Sequence, residues 1–122
     1  MTTWTIINND NGEMLVAKDG LGFEVDSTGL ADTIHAVQWN GTSGEVENKN
    51  ASTGEATGNT TISSFSDYAF AETAWNTAYT TALNAAKQVA YDIAYAEAIA
   101  NGDSDADAVA AGNAARDAVT SL

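Results

Sequence analysis

The sequence predicts an α+β fold, with a small antiparallel β meander followed by a long Ala-rich helix and a shorter helix that together form a helical hairpin. Residues 3–48 alternate short β-prone runs with turns rich in Gly, Asn and Asp. After residue 75, apolar residues recur at spacings of three and four, which is the period of a helix. Between these parts, residues 49–64 are polar and rich in Gly and Thr. We therefore divide the chain into a β module (1–48), a loop (49–64) and a helical hairpin that serves as an oligomerisation region (65–122).

The β module is predicted to contain about four or five strands. β-prone runs begin near residues 4, 13, 22, 34 and 45. The dipeptide Asp19-Gly20 between two of these runs is a strong signal for a two-residue hairpin turn. The run from Gly22 to Asp26 alternates apolar and acidic residues, which is typical of a strand with one face in water. These features favour an antiparallel meander with its apolar residues on one face.

The helical part is predicted to begin with a long helix from about residue 67 to residue 100. The segment Ser64-Phe65-Ser66-Asp67 resembles a capping box, and Gly102 can end the helix in the left-handed conformation. A second helix begins after Ser104, and its first acidic residues suit the positive end of a helix dipole. Folded back, this shorter helix would cover residues 82–100, and the start of the long helix would pack on the sheet.

The long helix carries a continuous apolar seam made mostly of alanine. It consists of Trp75, Tyr79, Ala82, Ala86, Val89, Ile93, Ala96 and Ala100. Between residues 89 and 100 the only charged residues are Asp92 and Glu97, so the helix is apolar nearly all round and one short neighbour cannot cover it. We predict a homo-oligomer or partner interface there, in which tyrosines bury area and keep a polar tip. The predicted interface residues are Trp75, Tyr79, Val89, Tyr91, Ile93, Tyr95 and Ile99.

The composition disfavours several classes of partner. The chain has 122 residues, a net charge of -13 and only four basic residues, so phosphate groups of nucleic acids or anionic membranes would repel it. It contains no cysteine, and no apolar run has the length of a membrane span. Its first residues lack the basic flank and apolar core of a signal peptide, so we expect synthesis in the cytosol without secretory export.

Few residues suggest chemistry. His35 is the only histidine, and as a half-buried strand residue without an assignable Ser or Asp it is predicted to be structural. Residues 103–107 resemble the opening of a calcium loop, but the Gly and Glu that such a loop requires next are replaced by Ala108 and Ala114. Glu45 and Glu47 lie on one strand face and do not indicate a glycosidase pair. We predict no enzymatic activity, no cofactor and no metal.

One hairpin is more particular than the rest. It reads Ile34-His35-Ala36-Val37-Gln38-Trp39-Asn40-Gly41-Thr42-Ser43-Gly44-Glu45-Val46-Glu47, and residues 18–26 and 62–68 flank it. Over residues 5–80 the chain resembles small tail-associated proteins of tailed bacteriophages, in which a β module of this kind precedes a helical tail. We predict that Trp39 anchors the β module rather than forming a ligand platform.

The resemblance implies a non-enzymatic virion structural protein of the tail or tail fibre. Such a protein is made in the host cytoplasm, is located in the virion tail and docks to tail or tail-fibre subunits through its helices. The alternative is an intracellular assembly chaperone that helps a fibre to trimerise and is then released. The family has no agreed catalytic residues, so the resemblance transfers none.

Overall fold

The computed structural model describes residues 1–122 and confirms the α+β fold. A six-stranded antiparallel sheet is followed by a short 3-10 helix and two α-helices. The elements are β1 (Trp4–Asn8), β2 (Glu13–Lys18), β3 (Leu21–Asp26), β4 (Ile34–Trp39), β5 (Gly44–Lys49), β6 (Ala56–Ile62), a 3-10 helix (Ser66–Tyr68), α1 (Ala69–Ala100) and α2 (Asp105–Ala118). The chain forms two compact units, Met1–Ala78 and Tyr79–Leu122, which we describe separately.

The sheet of the first unit has the strand order β3-β2-β1-β4-β5-β6. It consists of two meanders, β1 to β3 and β4 to β6, joined by the pairing of β1 with β4. The prediction of a single meander of four or five strands was therefore too simple. The predicted loop over residues 49–64 was wrong in its second half, where β6 pairs with β5 at the sheet edge. Residues 56–61 are exposed, so this edge strand lacks the buried apolar residues that indicate a strand in a sequence.

The hairpin between β2 and β3 forms as predicted. Lys18 pairs with Leu21, which leaves Asp19 and Gly20 as a two-residue loop. Their φ angles of 49° and 88° are both positive, as a type I′ turn requires. The local sequence therefore sets the register of these two strands.

One face of the sheet forms the core of the first unit. Its centre consists of Ile6, Val16 and Val37, which are fully buried and lie opposite one another on three adjacent strands. Aromatic rings extend this core, because Trp4 stacks on Phe65 with a centroid distance of 5.8 Å. The half-buried Trp39 lies 5.9 Å from the same Phe65 ring, and its predicted role as an anchor stays a prediction.

The first turns of α1 also belong to this core, as the sequence predicted. Trp75 is 6 % exposed and its ring meets those of Trp4 and Phe23 edge-on at 5.9 and 5.7 Å. The indole N–H of Trp75 donates to the Leu21 carbonyl at 2.8 Å. The polar atom of this large buried side chain is thus satisfied while its ring fills the core.

The predicted capping box at the start of the helical region was wrong. Phe65 occupies the N-cap position of the 3-10 helix, and no side chain caps it. Ser64 accepts a hydrogen bond from the backbone N–H of Ser66 at 3.2 Å, which is a local turn rather than a reciprocal cap. Burial of the Phe65 ring, which is 7 % exposed, instead fixes the chain at this point.

In the second unit, the connection between the helices follows its sequence signals. Gly102 has a φ of 86°, and the N–H groups of Gly102 and Asp103 donate to the carbonyls of Ile99 and Ala98. This pattern is a Schellman motif that ends α1. Ser104 then caps α2 by accepting from the backbone N–H of Asp107 at 3.2 Å. The predicted helical hairpin is therefore present.

Candidate interaction surface

Within the second unit, α2 packs against one side of α1. Gly112 of α2 is buried, and a Cβ atom placed on it would lie 2.6 Å from the Tyr91 ring. The small residues Ala98 and Ala108 are also buried, at 6 % and 0 % exposure. Glycine at position 112 leaves room for the Tyr91 ring to lie against α2.

The opposite side of α1 faces solvent. Val89 and Ile93 are 56 % and 55 % exposed, and each is two positions away from Tyr91, or about 200° around the helix. The neighbouring alanines on that side are exposed as well. We call this surface the outer face and define it as Ala85, Val89, Ile93, Ala96 and Ala100. An exposed apolar face of this kind on one side of a helix is typical of a docking surface.

Two carboxylates border the outer face. Asp92 and Glu97 lie on its two sides, and neither forms an ion pair with a basic residue. The side-chain amide of Gln88 donates to Asp92 at 2.9 Å, which fixes the position of that carboxylate without neutralising it. The border of the outer face is therefore purely acidic.

The structure separates the seven predicted interface residues into three groups. Val89, Ile93 and Ile99 are exposed, the last at 45 %. Tyr79, Tyr91 and Tyr95 are half-buried within the second unit. Tyr79 accepts a hydrogen bond from the backbone N–H of Leu122 at 3.2 Å.

Trp75 forms the third group by itself, and its assignment to a partner interface was wrong. Its indole is buried in the aromatic core of the first unit and donates to a backbone carbonyl of β3. The apolar seam does have the period of a helix, but Trp75, its first residue, packs in the core of the first unit. A period alone does not tell which turns of a long helix are already covered.

The side of α1 that α2 covers was missed at the sequence level. The prediction gave only the stretch that the short helix covers, residues 82–100, and the structure adds that α2 contacts the side that carries Tyr91 and Ala98. Gly112 was the available signal, because glycine within a helix costs about 1 kcal/mol relative to alanine and is kept where a close approach requires it.

A tyrosine–aspartate contact joins the two helices of the second unit. The Tyr95 hydroxyl donates to Asp105 at 2.5 Å, and the Tyr91 and Tyr95 rings stack with centroids 6.0 Å apart. The hydrogen bond to the Asp105 carboxylate stabilises the neutral phenol and raises the pKa of Tyr95 above its usual value; the negative charge of Asp105 acts in the same direction. This contact couples the start of α2 to the protonation of Tyr95.

The first unit contains one buried charged side chain. Lys49 is 6 % exposed and forms an ion pair with Asp10, whose side chain is 60 % exposed. The two residues line a polar cleft of about 520 Å³ between three loops, together with Asp32 and several hydroxyl groups. Because Asp10 and Asp32 outnumber the single lysine, the charges of this cleft do not define one ligand class.

The other candidate residues lie in structural settings. His35 is exposed, which corrects the prediction that it is half-buried, and it lines a cavity of about 220 Å³ with Glu47. No serine, threonine or cysteine lines that cavity. Around α2, Ser104 caps the helix and Asp105 accepts from Tyr95. No three His, Cys, Asp or Glu side chains cluster in a way that could hold a metal ion.

Neither helix combines the length and the apolar character that crossing a membrane demands. No family model, no curated protein and no solved structure matches the chain.

Proposed function

We propose that this chain is a non-enzymatic structural protein of a bacteriophage tail or tail fibre that docks to partner subunits through α1. The observation that carries the docking role is the outer face, where Val89 and Ile93 are each more than half exposed. Burial of apolar area contributes about 25 cal/mol per Å², so covering these side chains favours association.

The assignment to a phage tail rests on the hairpin of residues 34–47 and the resemblance that it carries. The fold is compatible with this role, because the sheet forms a module with its own aromatic core and leaves a helical face for docking. In this proposal the first unit gives the protein a stable body and α1 provides the contact with the particle.

Mass spectrometry of purified phage particles tests the tail assignment. We expect the chain to be present at a fixed copy number relative to the tail proteins and to remain after stringent washing. A chain that is abundant in the producing cell and absent from particles would overturn this assignment in favour of an assembly chaperone.

A matched pair of variants tests the docking surface in the same experiment. Ile93→Asp places a charge in the centre of the outer face, whereas Asn84→Asp adds the same charge at an exposed position of α1 outside this face. We expect the first variant to be lost from particles and the second to be retained. Equal retention of both would show that another surface docks.

A further inference from the structure

We infer that the outer face of α1 binds an amphipathic helix of another protein, and that lysine or arginine side chains border the apolar side of that helix. This inference rests on the proposed docking function and specifies the chemistry of the partner. Its two supports are the shape of the outer face and the charges along its border.

The shape of the outer face fits a helix with larger side chains. Val89 and Ile93 form a ridge one turn apart, with the exposed Ala85 and Ala96 on either side of it along the helix. The alanines leave shallow hollows, and packed helices place the side chains of one into the hollows of the other. A partner helix with leucine-sized residues would therefore fill the hollows and cover the ridge.

The border of the outer face selects the charge of the partner. Asp92 and Glu97 lie on its two sides and have no basic partner in the chain. Lys87 is four residues before Tyr91, on the side of α1 that α2 covers, so it does not face these carboxylates. A partner helix can meet both borders with cations, as charged e and g residues do in coiled coils.

The same charges disfavour two other occupants. A second copy of the chain presents the same two acids and no basic residue at this border, and each copy has a net charge of -13. In a parallel pair, Asp92 would lie beside the Asp92 of the other copy, which is repulsive. Nucleic acid is also anionic and would be repelled. A basic helix instead places positive charges opposite both Asp92 and Glu97.

Two synthetic helical peptides with an identical leucine face test the inference against the full-length chain. One carries lysines along both borders of this face, and the other carries glutamates at the same positions. We expect the lysine peptide to bind about ten times more tightly at low salt, because two exposed charge pairs change from attraction to repulsion. The preference should shrink as salt rises, since surface charges are screened.

Two sets of variants show whether the effect comes from the outer face. Ile93→Asp should lose binding of the lysine peptide while its far-UV circular dichroism stays unchanged, because Ile93 is 55 % exposed. Asn84→Asp, outside the outer face, should bind like the wild type. The double variant Asp92→Lys, Glu97→Lys should reverse the preference and bind the glutamate peptide more tightly.

Several results would overturn the inference. These are equal binding of both peptides, binding of neither peptide, and a preference that the double charge reversal leaves unchanged. A wild-type chain that sediments as an oligomer while Ile93→Asp is monomeric would instead identify a second copy as the occupant. A chain retained in phage particles without any peptide preference would overturn the partner chemistry alone. A peptide preference in a chain absent from particles would overturn only the tail assignment.

Discussion

Replacement of Gly112 by alanine tests the contact between α1 and α2. Gly112 lies in the middle of α2 and is buried. A Cβ atom at this position would be 2.6 Å from two carbon atoms of the Tyr91 ring. This separation is far shorter than a van der Waals contact between carbon atoms, so the ring has to move. Because Tyr91 stacks on Tyr95 with an interplanar angle of 13°, its movement also disturbs the second tyrosine.

Two opposing effects determine the stability of Gly112→Ala. Alanine in a helix interior stabilises by about 1 kcal/mol relative to glycine. Overpacking of a tightly fitted site costs about 1–3 kcal/mol. We therefore expect a net loss in the free energy of unfolding of about 0–2 kcal/mol. In a Tyr91→Ala background the ring is absent, so the same substitution should stabilise by about 1 kcal/mol, and the sign reverses.

The assay is urea unfolding of the four proteins of this double-mutant cycle, monitored by far-UV circular dichroism. Ala114→Gly is the matched control, because Ala114 is exposed in the same helix and should lose about 1 kcal/mol from propensity alone. If Gly112→Ala stabilises the wild type as much as it stabilises Tyr91→Ala, the close contact between Gly112 and the Tyr91 ring is refuted.

Three further predictions concern other contacts. Trp75→Ala should lower the free energy of unfolding of the first unit by about 3–5 kcal/mol in urea unfolding. Trp75→Phe should cost less because it keeps a ring in the aromatic core, and similar costs for the two variants would contradict this packing. Asp10→Asn should lower the free energy of unfolding by about 1–3 kcal/mol, because it leaves the buried Lys49 without a counter-ion. Lys49→Met should be nearly neutral, because the exposed Asp10 carboxylate stays in water. Thermal melts in which Lys49→Met is the less stable of the two variants would refute this asymmetry. Because the folded-state pKa of Tyr95 is raised, its hydrogen bond to Asp105 contributes stability below the unfolded pKa of about 10 and loses that contribution as pH rises through the folded value. Burial raises the pKa of Tyr68 too, so ultraviolet titration of tyrosinate should show two late-ionising residues in the wild type and only one in Asp105→Asn.

The parts of the fold that the sequence predicted are those governed by local chemistry. The two-residue turn at Asp19-Gly20 needs positive φ at both positions, and those residue types tolerate it. Gly102 ends α1 and Ser104 begins α2 because each satisfies backbone groups within a few residues. Signals of this kind do not depend on the rest of the molecule.

The parts that the sequence did not predict depend on distant residues. The strand β6 is polar and exposed, and only its ladder with β5 shows that it is a strand. The pairing of β1 with β4 brings together segments that are separated in the chain by β2, β3 and their loops. Trp75 has the helical period of the seam, but rings from β1 and β3 bury it. Neither composition nor periodicity contains this information.

The choice between the two sides of α1 follows from what α2 offers. Alanines occur on both sides of α1, so the spacing of apolar residues does not distinguish them. The side with Tyr91 and Tyr95 presents larger surfaces, and α2 meets it with a glycine under one ring and a carboxylate for the other hydroxyl. Val89 and Ile93 are aliphatic, so they have no ring to fit over Gly112 and no hydroxyl to donate to Asp105. The aliphatic side therefore remains exposed because the aromatic side is the better complement for α2, and its acidic border leaves it suited to a basic partner.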